Sequence, residues 1–176
     1  MLRKSALAIL AVIVVILGLA AMKPDNFAVR RTTTIKAPPE KIAALVTDFH
    51  QWSNWSPWES LDPAMKRSFS GAPAGKGAIY EWEGNKDVGK GRMEITDAGA
   101  PEKTVVKLDF LKPFESHNTT VFTLVPQAGE TEVSWDMTGA MPFGSKIVSV
   151  FMSMDALVGK DFEKGLANLK MAAEKS

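Results

Sequence analysis

The sequence predicts an α+β fold in which a curved antiparallel sheet of about seven strands wraps around one long C-terminal helix. Three observations carry the prediction. From Ser145 to Lys175 apolar residues stand at Ile147, Phe151, Met154, Val158, Phe162, Leu166 and Leu169, steps of three and four that mark one helical face. Between Met65 and Met137 the apolar period is two instead, and glycine, proline, asparagine and aspartate clusters cut the segment into short pieces. A helix of that length, about 46 Å, is unstable alone with so apolar a stripe, so the strands must cover it.

The chain opens with Met1-Leu2-Arg3-Lys4-Ser5 and then runs uncharged from Ala6 to Met22. This stretch is near the short end of the roughly 17–25 residues that span a bilayer. Residues 1–22 therefore read as a transmembrane anchor or as a secretory signal segment, for which Gly18-Leu19-Ala20 offers a small-x-small cleavage pattern. Either reading brings the chain to a membrane. The anchor reading makes it a single-pass inner-membrane protein with its domain on the periplasmic or extracytoplasmic side. The signal reading makes it a secreted one. Residues 23–27 form a linker, and 28–176 form the folded domain.

Phe27 to Lys36 carries three consecutive threonines and reads as the first strand. Pro38-Pro39 stops it, and Ile42, Leu45, Val46 and Phe49 then follow at helical steps. Trp52, Trp55 and Trp58 repeat every third residue, which suits a tight helical turn with all three on one side. These two short helices precede six strands, at Lys66–Ser70, Ala78–Glu83, Gly91–Thr96, Thr104–Phe110, Asn118–Val125 and Thr131–Met137. Short turns between consecutive strands make an antiparallel meander. Val133, Trp135 and Met137 alternate with Glu132, Ser134 and Asp136, so one face of the sheet is buried and the other wet.

The order of strand, two short helices, six strands and a long terminal helix resembles the helix-grip fold of the START-like or SRPBCC superfamily, the polyketide cyclase/dehydrase-like proteins. Residues 35–58, with Ala37-Pro38-Pro39 and the three tryptophans, resemble that family's strand-to-helix entry. Residues 82–93 resemble its glycine-bounded hairpin, and 159–170 its terminal helix. Together they cover Val29 to Lys170. The resemblance implies a cavity between sheet and helix, and similar proteins bind lipids, hormones or polyketides, catalyse cyclisation, or act as co-chaperones. The N-terminal hydrophobic segment departs from the soluble pattern.

Composition narrows the function. Formal net charge is +1, and setting aside Arg3, Lys4 and Lys23 leaves 18 basic against 20 acidic residues, a balance that argues against a nucleic-acid surface. The chain has no cysteine, which excludes disulfides, thiolate metal sites and a cysteine nucleophile. His50 and His117 are the only histidines and lack any metal-binding spacing, so neither a metal nor a cofactor is expected. No GlyXSerXGly elbow or phosphate loop is present.

If the buried register is that of Trp135, the inward residues are almost free of titratable groups. Candidate ligand-binding residues are then Tyr80, Trp82, Met93, Phe110, Phe122, Trp135, Phe151 and Met154, with aromatic walls and Tyr80 as polar anchor. The expected partner is a hydrophobic or amphipathic, lipid-like small molecule. Two alternatives stand beside this: an enzyme making cyclase- or dehydratase-like proton transfers, and a non-catalytic interaction protein with a filled interior. Packing alone also accounts for the inner aromatics. The tryptophan cluster is expected to lock the short helices onto the sheet.

Overall fold

The computed structural model describes residues 2–99 and 102–175, with side chains from Ser5 onward. Helix α1 (Leu2–Ala21) is followed by β1 (Asn26–Ile35), α2 (Pro39–Thr47) and two 3-10 turns at Phe49–Asn54 and Pro57–Ser60. Then come β2 (Lys66–Gly71), β3 (Ala78–Glu83), β4 (Lys90–Gly99), β5 (Lys103–Lys112), β6 (Ser116–Gln127), β7 (Glu130–Ala140), α3 (Phe143–Ser149) and α4 (Met154–Glu174). The strands make one antiparallel sheet in the order β1-β7-β6-β5-β4-β3-β2. This is the helix-grip architecture.

Each expected strand is present, usually longer by a residue or two at either end. The turn expected at Asp97–Pro101 lies partly outside the described residues. Alternation explains the sheet's sidedness: in β7, Val133, Trp135 and Met137 are buried, as are Phe122 and Leu124 in β6 and Tyr80 and Trp82 in β3. Pairing places these residues on one face, since Trp135 opposes Phe122, and Tyr80 opposes Met93, which opposes Leu108.

One expectation needs correction. The single helix from Ser145 to Lys175 is two helices, α3 and α4, separated at residues 150–153. Ser153 accepts a hydrogen bond from the Ala156 backbone N–H at 3.1 Å, and Asp155 sits in the first turn, so a new helix starts there. Apolar spacing continues across the break and hides it. Capping chemistry, not hydrophobic period, ends one helix and begins the next.

Helix α1 packs against α3, and Ala20 is fully buried. From Leu7 onward its large apolar residues lie open, from Leu17 at 40% to Leu7 at 67%, except the half-buried Ile16. Among the described residues no helix is long and apolar enough to cross a membrane. The span expected over residues 1–22 is thus not established by the part of α1 whose side chains are described, residues 5–21, which reach only about 26 Å.

Helix α4 lies across β1. Phe162, Leu166, Leu169 and Ala173 point inward onto the sheet. Two inward glycines on α4 make room for different things. A Cβ at Gly165 would come within 2.7 Å of the Trp135 ring and 3.2 Å of Pro57, so its absence lets the ring lie flat beneath the helix. At Gly159 the neighbour is the Arg31 guanidinium, which donates to Asp155 at 2.7 and 3.1 Å and to Glu163 at 2.7 Å. Arg31 thus clasps both sides of one helical face, and the two carboxylates raise its already high pKa.

Candidate functional site

The inner face of the sheet divides into two zones. Under α2, the 3-10 turns and α4 from Phe162 onward, the space is filled with aromatic rings. Trp135 stacks on Phe162 with centroids 4.2 Å apart, Phe122 lies 4.9 Å from Trp135, and Trp55 meets both Phe122 and Trp135 edge-on at 5.9 and 5.5 Å. Trp52 and Trp55 donate their indole N–H groups to the Val46 and Leu45 carbonyls at 2.9 and 3.0 Å. These two rings lock the short helices onto the sheet, as expected from the spacing. Phe122 and Trp135, expected as ligand walls, are members of this plug.

Toward the opposite end, beside the start of α4, packing is looser. Leu108, Phe110, Met154 and Val158 are only half-buried, while Met93, Met137 and Asn118 are buried on the same face of the sheet. Trp82 meets Phe110 edge-on at 5.9 Å and donates its N–H to the Val88 carbonyl at 2.9 Å. Gly91 makes that placement possible, because a Cβ there would stand 2.3 Å from the Trp82 ring. Of the sequence candidates, Trp82, Met93, Phe110 and Met154 thus border this zone. Phe151 does not. It sits in the break between α3 and α4, 73% exposed, because the helical register that would have turned it inward is interrupted there.

Among the described residues, two buried side-chain polar atoms have no hydrogen-bond partner: Asn118 Oδ1 and Trp135 Nε1. Both belong to the inner face, an acceptor on β6 and a donor on β7. Leaving such groups unpaired costs on the order of 1–3 kcal/mol each. Asn118 opposes Gly139, and a Cβ there would collide with the Asn118 amide and the Phe27 ring. Gly139 therefore holds that amide against the sheet.

Tyr80, expected as polar anchor, is engaged elsewhere. It is buried, and its hydroxyl donates to Glu59 Oε1 at 2.6 Å, while Arg67 donates to Glu59 Oε2 at 2.7 Å. Burial, and then the adjacent Glu59 carboxylate, hold the Tyr80 pKa well above the usual phenol range. A tyrosine held neutral and committed to a carboxylate is poorly placed to exchange protons with a substrate. Glu59 and Arg67 carried no local sequence signal, since they are eight residues apart and meet only through the turn into β2.

Two open hollows lie outside the predicted set. One, about 170 Å³, is bounded by Phe49, His50, Phe69 and the turn from Ser70 to Pro73. There His50 stacks on Phe69 at 4.1 Å and lies 2.9 Å from Asp48. The other, about 490 Å³, lies mainly on the wet face beside His117, Thr119, Thr138 and Ala28. His117 approaches Asp109 at 2.7 Å, and Lys107 approaches the same carboxylate at 3.0 Å. Burial pushes the Asp109 pKa up, but those two donors outweigh it and leave it below the ordinary value. No group of three or more histidine, aspartate or glutamate side chains among the described residues is placed to hold a metal ion.

The sequence from residue 26 to residue 174 matches the family model described as polyketide cyclase/dehydrase and lipid transport. The chain belongs to that family. Solved structures agree on the fold. A protein from Chromobacterium violaceum superposes with a TM-score of 0.60 at 15% identity, covering 88% of this chain and 100% of that one. The Aha1 dimer from Colwellia psychrerythraea gives 0.60 at 16%, covering 85% and 97%. The di-domain ARO/CYC protein BexL of the BE-7585A biosynthetic pathway gives 0.61 at 14%, covering 90% of this chain and 53% of that one. At such identities the likeness concerns the fold alone. No curated protein matches the sequence.

Proposed function

We propose that this family member is a membrane-tethered binding domain that takes a hydrophobic or amphipathic, lipid-like small molecule between the sheet and the N-terminal half of α4. The observation that carries the reading is the contrast inside the grip. One zone is plugged by rings, while the zone around Leu108, Phe110, Met93, Met137, Met154 and Val158 is apolar and half-open, with Asn118 Oδ1 lacking a donor. Methionine side chains adapt to irregular apolar ligands, and an unpaired acceptor orients a ligand's polar end. Titration of the detergent-exchanged protein with a panel of fatty acids and phospholipids, read by tryptophan fluorescence and native mass spectrometry, tests it. Saturable binding that Phe110→Ala weakens is expected. No bound species and no saturable signal would remove the reading.

Tethering rests on α1. Over its full extent, Leu2–Ala21, the helix reaches about 30 Å, the thickness of a hydrocarbon core, and from Leu7 onward its leucine, isoleucine and valine side chains are exposed except Ile16, which is half-buried. Membrane fractionation of the full chain, with alkaline carbonate extraction, checks this part separately. A domain outside the cytoplasm fits the same reading, and protease protection in spheroplasts tests that placement.

A competing reading has one specific observation in its favour. The ring-filled zone is what an interaction protein with a closed interior would also have. Failure of every lipid in the titration would favour it.

A further inference from the structure

The sheet has two ends, and they differ in what they expose. At one end the chain leaves α1 and enters β1, whose Asn26 pairs with Ala140 of β7. Phe110 pairs with Ser116, so the tip of the β5–β6 hairpin, with Leu111 and Phe114, lies at this same end. Helix α3 is held there as well, by Lys146 Nζ donating to Asp25 and by the Met141 N–H donating to the Asp25 carbonyl at 2.7 Å. From these separate segments a rim of exposed large apolar side chains gathers: Met22, Phe114 at 83%, Phe143, Val148, Phe151 and Met152. At the other end the β2–β3 and β6–β7 turns, Ala72–Lys76 and Ala128–Gly129, carry no exposed large apolar side chain, and beside them Val125 is exposed at 46%.

We infer that this apolar rim is a seat on the lipid bilayer, which holds the half-open zone of the grip against the membrane surface so that the ligand enters from lipid rather than from water. The inference rests on the tethering proposed above. Helix α1 packs on α3, so if α1 stands in the bilayer, α3 is at the headgroup level and its outward Phe143 and Val148 meet acyl chains. Phe151 and Met152 continue the exposed apolar run across the helix break, immediately before the half-buried Met154 that opens α4. A continuous helix would have turned Phe151 inward. Interrupting it turns an apolar ring outward, at the one end of the sheet where a bilayer would be. An exposed apolar surface drawn from four chain segments is larger than scattered surface residues account for.

Absence of cysteine makes a direct test possible in the full chain. Single substitutions Val148→Cys, Phe151→Cys and Phe114→Cys report the rim, Ala11→Cys reports α1, and Val125→Cys reports the opposite end. Each carries a nitroxide label in nanodiscs of phosphatidylcholine and phosphatidylglycerol, and relaxation by oxygen is compared with relaxation by a water-soluble nickel chelate. Rim labels in the oxygen-rich lipid phase, with Val125→Cys in water, are the expected result. Rim labels open to the nickel chelate overturn the seat, and the Ala11→Cys label then tells whether tethering has fallen too. Rim labels shielded from both agents with spin–spin broadening between copies also overturn it, in favour of a dimer face. As an independent measure, the double variant Phe114→Asp, Met152→Asp leaves the folded core untouched. It is expected to slow lipid uptake from vesicles about tenfold without changing the urea midpoint. Unchanged uptake counts against the seat.

Discussion

The plugged and half-open zones of the grip face the same helix and are built from the same strands, yet they solve opposite problems. Beneath Gly165 the helix comes close enough for Trp135 to stack flat, and Phe122, Trp55 and Phe162 close around it with no exposed surface to speak of. Beneath Gly159 the missing side chain admits a charged group instead, and Arg31 holds the helix by its edge through Asp155 and Glu163. Dispersion and burial secure one zone, and solvent-accessible ion pairs fasten the other. The ring-filled zone therefore carries more of the buried apolar packing than the zone beside Gly159.

The largest test of this division is Phe122→Ala, expected to cost about 3–5 kcal/mol in urea unfolding because the ring is fully buried. Phe110→Ala, half-buried, is expected to cost less than half as much while weakening ligand binding. Equal losses of stability would erase the distinction between the zones. Next in size are the two helix glycines. Gly165→Ala forces a Cβ against a buried ring and is expected to cost about 1–3 kcal/mol. Gly159→Ala meets only the movable end of Arg31, so the roughly 1 kcal/mol gained in helix propensity offsets the disturbed pairs and stability stays within about 1 kcal/mol of the parent. Thermal melts of both variants check the pair.

Tyr80→Phe removes the hydrogen bond to Glu59 but leaves the carboxylate its Arg67 partner, so a loss of about 1–2 kcal/mol is expected, with ligand binding unaffected. Loss of ligand binding instead would return Tyr80 to the site. The smallest effect is on pH. Asp109 has a folded pKa below its unfolded one, so its contribution is present above the unfolded value, near 4, and is lost as pH falls through the folded value. Asp109→Asn is expected to flatten that acid limb of the stability profile. Unfolding midpoints measured from neutral to strongly acid pH show whether it does.

Strand positions and sidedness were legible because an inward apolar side chain at every second residue is a local pattern, and Val133, Trp135 and Met137 state it plainly. The tryptophan spacing was legible for the same reason. Phe151 was misplaced because hydrophobic period cannot see a cap: one hydroxyl, on Ser153, restarts the helix without disturbing the spacing. Arg31 was unreadable as an inner-face residue, since its acceptability there depends on a glycine 128 positions later. Tyr80 reads from the sequence as a polar anchor because Glu59 and Arg67 come together with it only after the chain has turned.

By itself the amino-acid order determined the fold class, the number of strands, which face of each is apolar, and the apolar N-terminal segment. These follow from periodicity and turn chemistry, which act over a few residues. Tertiary structure alone decided which inward aromatics fill the grip and which border an opening, where the terminal helix breaks, and which end of the sheet carries the apolar rim. Those outcomes depend on contacts between residues far apart in the chain, where a glycine's missing Cβ or a single carboxylate determines what fits.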